Sequence, residues 1–396
     1  MATVPLDPLS TDKFLGLVNT LDPLQAPKGS LTEANNVDID DAAAIRRRDG
    51  YTSATTFTNI QSIFATKDQL HAYAIDNGDL ISIEADFTRT ILASGFLDGV
   101  YKWEEVGKRV YILGPTTGVI DRGVFKPWGV PHCPQPSATI TPGTLDAGRY
   151  LVSCVYVNEH GEAGGASAAI VVELLDNQAI NIELPVLANH KVTVYVSSKN
   201  GETLYKAGTT TNISFLFNDE ASLIAPMPKE QQQRYPVPSN ATQLAYSDGR
   251  MYVSEYSQAN NASYLYSSEP FWLGLFDIFK NYTAIPSQIR MLEAYSTGLV
   301  IGTDVEIYAY SIEYGLTLLA SYGVPEGTQA SADPQGILYF WTNRGVCRVP
   351  DFANLSQERV SVPPGNKCAT AFMEQQGYNR FLISTDDSGL ENNKYT

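Results

Sequence analysis

The sequence predicts an all-β protein: a β-propeller of about six or seven blades, interrupted by an inserted immunoglobulin- or fibronectin-like β-sandwich. Three observations carry that expectation. First, a unit recurs in which alternating strands flank a Gly- or Asp-bearing turn; it appears from Lys67, Gly107, Asp248, Thr297, Gln335 and Tyr378. Taking Leu70, Val110, Met251, Leu299, Leu338 and Phe381 as the first buried strand residues, the intervals are 40, 141, 48, 39 and 43 residues. A strand-built repeat of roughly 40–50 residues is the period of propeller blades. Second, the long interval exceeds one blade by roughly 100 residues, the size of one sandwich. Third, 23 Tyr and 30 Gly, with few apolar periods of helix length, lean the chain toward strands.

Residues 1–30 carry Pro5, Pro8, Pro23 and Pro27 and read as an extended arm. A short helical piece is expected over residues 12–20, where Phe14, Leu17 and Val18 share a face. The first part of the propeller spans 31–135 and starts with a lead-in segment, residues 31–51. There Val37 and Ile39 alternate with polar neighbours, Asp40 and Asp41 break the run, Ile45 begins a second extended piece, and Asp49-Gly50 signals a turn. Arg46, Arg47 and Arg48 lie between. Such a triplet either forms a solvated edge that blunts strand pairing or makes a charged contact to an acidic neighbouring subunit. Three arginines in a chain of net charge -16 make a poor electrostatic footprint for nucleic acid.

The insert is expected at 136–226. Tyr150, Val152, Cys154 and Tyr156 alternate before a turn at His160-Gly161. Ile180, Ile182 and Leu184 form a second strand, and Val192, Val194 and Val196 a third that ends in Lys199-Asn200-Gly201. Leu204 opens a fourth, and Ile213, Phe215 and Phe217 mark a fifth. With no Cys…Trp…Cys spacing, the fibronectin-like form is the better reading. Pro127, Pro131, Pro134 and Pro136 precede the insert, and Pro226, Pro228, Pro236 and Pro238 follow it. Prolines at both joints stiffen the connections, so the sandwich should project at a defined angle. The second part of the propeller spans 227–396. Its stretch SSEPFWLGLFDIF, residues 267–279, reads as blade packing plus a loop or, through Phe271 and Trp272, as a docking surface for another subunit. The last blade is expected to be closed by the strand near Val37, because joining the two chain ends removes two free edges.

Reactive constellations do not emerge. His71, His132, His160 and His190 are isolated, and no nucleophile elbow, phosphate loop or dinucleotide fingerprint is present. Asn36, Asp38 and Asp40 start a calcium-loop pattern that fails at Asp41, where Gly is required, and at Arg47, where Glu is required. The run Ser384 to Gly389 echoes a sialidase Asp box with one residue too many before its glycine and no tryptophan after it. Cys133, Cys154, Cys347 and Cys368 lack metal-ligand spacing and read as small buried hydrophobes kept reduced. The expectation is therefore a non-enzyme with no catalytic, cofactor-binding or metal-ligating residues. No signal peptide and no apolar run of roughly 20 residues is seen, so a soluble chain made in a cytoplasm, without a membrane anchor, is expected.

Asn36, Asp38 and Ile39, followed by Arg47, Arg48, Gly50 and Tyr51, resemble the lead-in segment of bacteriophage virion tail proteins. The resemblance is to the nozzle, or tail tubular protein B-like, component of short-tailed phages. The strand Gly298 to Asp304 also looks like a blade strand of such proteins. The resemblance implies a structural subunit of the virion tail, assembled in the host cytoplasm. It would form a homo-oligomeric ring, a hexamer, below the portal and adaptor, and contact other tail proteins. That ring would continue and gate the channel through which genomic DNA passes without sequence-specific binding. Arg46, Arg47, Arg48, Phe271 and Trp272 are the candidate inter-subunit contacts. The alternative is a carbohydrate-binding or glycan-hydrolysing propeller associated with a phage tail, with Trp272, Trp341, Tyr308 and Phe340 as stacking platforms. A scaffold of WD repeats fails, because no unit holds a Gly-His…Trp-Asp pair.

Overall fold

The computed structural model describes residues 14–35, 37–39, 44–47, 56–68, 70–232, 234–296, 298–375 and 378–386. The chain divides into two compact units, one formed by residues 57–289 and the other by residues 1–56 with 290–396. In chain order the first strands, β1 (Gly16–Leu17), β2 (Ser30–Leu31), β3 (Val37–Ile39) and β4 (Ile45–Arg47), belong to the second of these. The fold is the all-β class expected: propeller-type blades interrupted by a β-sandwich.

In the 57–289 unit, blade 1 is a meander of β5 (Ile60–Ala65), β6 (His71–Asp76), β7 (Asp79–Glu84) and β8 (Arg89–Ser94). Blade 2 repeats it with β9 (Lys102–Val106), β10 (Arg109–Leu113), β11 (Gly118–Asp121) and β12 (Val124–Pro127). The hairpin turns are set locally. Asn77-Gly78 between β6 and β7 has φ of 52° and 83°, the double-positive geometry that Asn-Gly adopts with least strain. Consecutive blades pack face to face: Tyr73, Ile75 and Leu80 of blade 1 share a core with Val110, Ile112 and Ile120 of blade 2. Each such fully buried aliphatic contributes about 1.5–3 kcal/mol. Leu70, expected as the first buried residue of blade 1, is instead 59% exposed, one position before β6; the burial starts on the strand itself.

The insert contributes seven strands: β13 (Ser137–Leu145), β14 (Gly148–Asn158), β15 (Ile170–Leu174), β16 (Gln178–Glu183), β17 (His190–Ser197), β18 (Leu204–Thr210) and β19 (Ser214–Phe217). They form two sheets, β13-β16-β19 and β15-β14-β17-β18, around one core. The first six follow the B, C, C′, E, F, G succession of a sandwich; β19 then joins the free side of β16. Two details differ from expectation. Leu184 is buried but lies just past β16, and Ile213 is 72% exposed, just before β19. On β14 both faces are buried: Tyr150, Val152, Cys154 and Tyr156 point into the core, while Val155 packs with Ala166, Tyr195 and Met227. A half-buried alternation is thus covered on its second side by the β14–β15 connection (Ala163, Ala166) and by Met227 in the chain that follows the insert.

Blade 3 comprises β20 (Ala241–Ser247), β21 (Arg250–Ser257), β22 (Ala262–Glu269), β23 (Trp272–Phe276) and β24 (Tyr282–Pro286), the last two both pairing with β22. It packs on blade 2, although the insert separates them in sequence: Tyr111, Leu113 and Val119 meet Leu244, Met251, Val253 and Phe276.

In the other unit, blade 4 is β25 (Ile289–Tyr295), β26 (Gly298–Thr303), β27 (Ile307–Ser311) and β28 (Gly315–Ala320), with β26 buried throughout. Blade 5 is β29 (Ser331–Ala332), β30 (Leu338–Thr342), β31 (Gly345–Val349) and β32 (Ala353–Asn354). Met291, Val300 and Ile307 pack on Leu338, Phe340 and Cys347. A hairpin of β33 (Cys368–Gln375) and β34 (Tyr378–Thr385) follows, with Phe372 stacked on Tyr339 at 6.2 Å. The expected closure by the strand near Val37 is corrected among the described residues: β3 pairs with β4, and β33 with β34.

The helix expected over residues 12–20 is also corrected within its described part, 14–20. The Leu15 and Val18 amides donate to Gly29 O (2.9 Å) and Leu31 O (2.7 Å), so the backbone is spent on a parallel β1–β2 pairing. Gly16, at φ 98°, is incompatible with a helix. The arm is instead pinned to a late loop: Asn19 Nδ2 donates to Ser361 O (2.9 Å), Ser361 N to Asn19 Oδ1 (2.7 Å) and Thr20 Oγ1 to Glu358 O (2.7 Å).

Candidate functional site: the joint between blades and insert

The chain leaves blade 2 and returns to blade 3 through two linkers that run side by side. Trp128, the first residue after β12, packs edge-on against Phe276 (6.3 Å, 70°), and its indole N–H donates to Leu273 O at 3.1 Å. His132 stacks on Tyr235 at 4.6 Å and its Nδ1 lies 3.0 Å from Arg234 O. Cys133 N donates to Gly165 O and Ala166 N to Gln231 O. Tyr235 and Phe276 exchange both backbone bonds, at 2.9 and 2.8 Å. The prolines stiffen these connections, but reciprocal hydrogen bonding is what holds them.

Charge adds a second brace. Arg234 donates through Nε to Glu269 Oε1 (2.7 Å) and through Nη1 to Asp277 Oδ2 (3.0 Å), and all three side chains are largely buried. Across the joint, Arg109 and Lys126 of blade 2 contact Asp121 (3.2 and 3.1 Å) and reach Glu162 of the β14–β15 turn (both 3.6 Å). The Lys126 hydrogen bond holds the Asp121 carboxyl below the usual range. Two cations and two carboxylates balance, so the cluster is neutral.

All four cysteines are buried free thiols. Cys133 of the outgoing linker lies 3.1 Å, Sγ to Sγ, from Cys154 of β14. That hydrogen bond and burial push the Cys133 thiol up, keeping it protonated.

A cavity of about 490 Å³ opens at this joint, lined among others by Arg109, Tyr111, Glu162, Gln231, Phe271 and Trp272. A second, of about 300 Å³, lies between β12 and the insert, beside His160 and His190. No cluster of three or more metal-ligating side chains exists among the described residues.

Of the candidate contacts, Phe271 is 84% exposed at the β22–β23 turn, held by its N–H to Gly249 O (2.7 Å), and its neighbour Trp272 lines the larger cavity. The 267–279 stretch therefore divides: Leu275 and Phe276 are core, while Phe271 and Phe279 face outward. Arg46 and Arg47 are exposed on β4, opposite Asp38 and Val37 in register, and belong to the other unit. Arg48 lies outside the described residues. Three of the proposed sugar-stacking rings are corrected: Tyr308, Phe340 and Trp341 are 8%, 0% and 5% exposed and serve as blade core.

Sequence reasoning missed Arg234, Glu162, Gln231 and Glu104. Arg234 sits 35 and 43 residues from its two carboxylates, and no local pattern announces such a pairing. Glu104, on β9 facing blade 3, has its carboxyl pushed up to about 7 by burial, with Lys67 and a hydrogen bond from the Tyr246 backbone opposing. A raised carboxyl favours the protonated folded form. Its contribution is therefore fully present below the ordinary range and is lost as pH rises to about 7. Glu104→Gln should thus be more stable than the parent above neutrality, by on the order of 2–3 kcal/mol at pH 8, and indistinguishable near pH 4. Urea midpoints of the two proteins across that range check this.

No family model matches the chain, and no curated protein matches it. Among solved structures, it is similar to AztD of Citrobacter koseri, at 10% identity and TM-score 0.35, over 85% of this chain and 82% of that one. It is also similar to PorZ, a surface component of the type-IX secretion system of Porphyromonas gingivalis. There the identity is 11% and the TM-score 0.24, over 85% of this chain and 60% of PorZ. The chain thus spans less than two thirds of PorZ. Likenesses at these scores carry no argument about family or activity.

Proposed function

We propose that this chain is a structural subunit of a phage virion tail, of the nozzle kind, which assembles into a homo-oligomeric ring on the portal and adaptor. The observation that supports the reading is the braced joint. The sandwich is fastened to blades 2 and 3 by paired linkers, a buried Arg234 cluster and a neutral ion quartet. A part that must transmit shape between neighbours needs an appendage whose attitude does not drift. The lead-in residues Asn36, Asp38, Ile39, Arg47, Arg48, Gly50 and Tyr51 agree with this reading, and the exposed ring of Phe271 and guanidinium of Arg47 are of the types enriched at interfaces.

In this role each subunit is a stiff wedge. The acidic chain, net charge -16, would favour passage of DNA over adsorption wherever it faces the channel. The test is light-scattering mass of the purified chain, alone and with a portal–adaptor complex. A ring of about six copies is expected, formed alone or only on the portal. Arg47→Glu should weaken assembly at least tenfold without lowering the melting temperature. A monomer that ignores the portal defeats the proposal.

A further inference from the structure

The joint cavity presents polar and aromatic groups that the structural role does not use. Four tryptophans are present. The indole N–H groups of Trp103, Trp128 and Trp341 donate to Ser62 Oγ (2.6 Å), Leu273 O (3.1 Å) and Pro364 O (3.0 Å). That of Trp272, which lines the cavity, has no partner among the described residues. Gln231 also lines it and is only 5% exposed. One end of its amide accepts from the Tyr195 hydroxyl at 3.3 Å, and the other end makes no bond within the described chain. That free end is not cut off from solvent, so it opens to the cavity and is available to a ligand.

The remaining lining defines what would answer. Tyr111, Phe271 and Trp272 supply aromatic surface, with Phe271 at the rim. Arg109 is already neutralised by Asp121 and Glu162, so the cavity is not an anion trap. A volume of about 490 Å³ falls in the range of small-ligand sites, which run to roughly 300–1,000 Å³. Flat apolar faces, unspent donors and balanced charge match a molecule with C–H faces and several neutral oxygens.

We propose that this cavity binds a neutral pyranose unit of a glycan. A ring face lies on Trp272, the Trp272 N–H donates to a ring or hydroxyl oxygen, and the free end of Gln231 answers a second hydroxyl. Because the cavity draws on both linkers and on the β14–β15 turn, it exists only while the joint is closed. Sugar binding and joint rigidity are therefore linked. The proposal is independent of ring assembly and can hold for a monomer or an oligomer.

Saturation-transfer NMR on the full chain tests it, with methyl glucoside, galactoside, mannoside and N-acetylglucosaminide, methyl glucuronide as a charged comparison, and adenosine as a nucleobase probe. Ring-proton saturation from at least one neutral glycoside is expected. It should fall at least tenfold in Trp272→Ala and in Gln231→Ala, and persist in Tyr314→Ala, which removes an exposed ring elsewhere. Trp272→Phe, which keeps a ring but loses the N–H, should retain weaker saturation and guards against misfolding of the alanine variant. The proposal is overturned if no neutral glycoside shows transfer at millimolar concentration. Transfer that survives both Trp272→Ala and Gln231→Ala, or that is confined to the glucuronide or adenosine, overturns it as well.

Discussion

Replacing Arg234 with methionine is expected to destabilise the protein by about 3–5 kcal/mol. The guanidinium bridges Glu269 and Asp277 with side-chain exposures of only 18%, 13% and 8%. Removing it leaves two mostly buried carboxylates without their shared cation. The loss reflects stranded charge more than the worth of the pair itself. For that reason the triple variant Arg234→Met, Glu269→Gln, Asp277→Asn should recover much of the stability. Urea midpoints of parent, single and triple variants read this out. A single variant within about 1 kcal/mol of the parent would mean that the carboxylates relax into solvent and that the brace lies elsewhere.

The second large effect is steric. A Cβ on Gly165 would sit 1.7 Å from Arg234 O and 2.6 Å from its carbonyl carbon. Backbone cannot rotate out of the way as a side chain can, so Gly165→Ala must push the linkers apart. The Cys133–Gly165, Ala166–Gln231 and His132–Arg234 contacts all cross that seam. A cost of about 2–4 kcal/mol is expected. With it should come protease cutting within residues 223–240 that the parent resists, releasing a fragment that contains the insert. An unchanged digestion pattern with an unchanged midpoint would show that the paired linkers do not carry the insert.

These two residues also mark how far the sequence could be read. Val110, Met251, Leu299 and Leu338 are buried where the repeat anticipated them, because a blade strand announces its inner face by alternation within five or six residues. Likewise Tyr150, Val152 and Cys154 disclosed the long core strand of the insert. The helix anticipated around Phe14 to Val18 fails for a reason no short window contains: the amides of Leu15 and Val18 find acceptors at Gly29 and Leu31, more than ten residues on. Tyr308, Phe340 and Trp341 were visible as aromatics on strands, yet whether a ring faces core or solvent depends on which blade lies against it.

Strand periodicity, the Asn-Gly and Asp-Gly turns and the proline-marked joints were legible along the chain, because short-range physics controls each of them. The make-up of the joint became visible only in the folded chain. Arg109, Glu162, Gln231, Arg234 and Trp272 come from blade 2, the insert turn, the return linker and blade 3, and Gly165 is required only because another backbone passes beside it. Contacts of that kind depend on chain segments brought together by the burial of separate cores. Their energies are set by distance and desolvation in the folded protein, and neither is written in the spacing of residues along the chain.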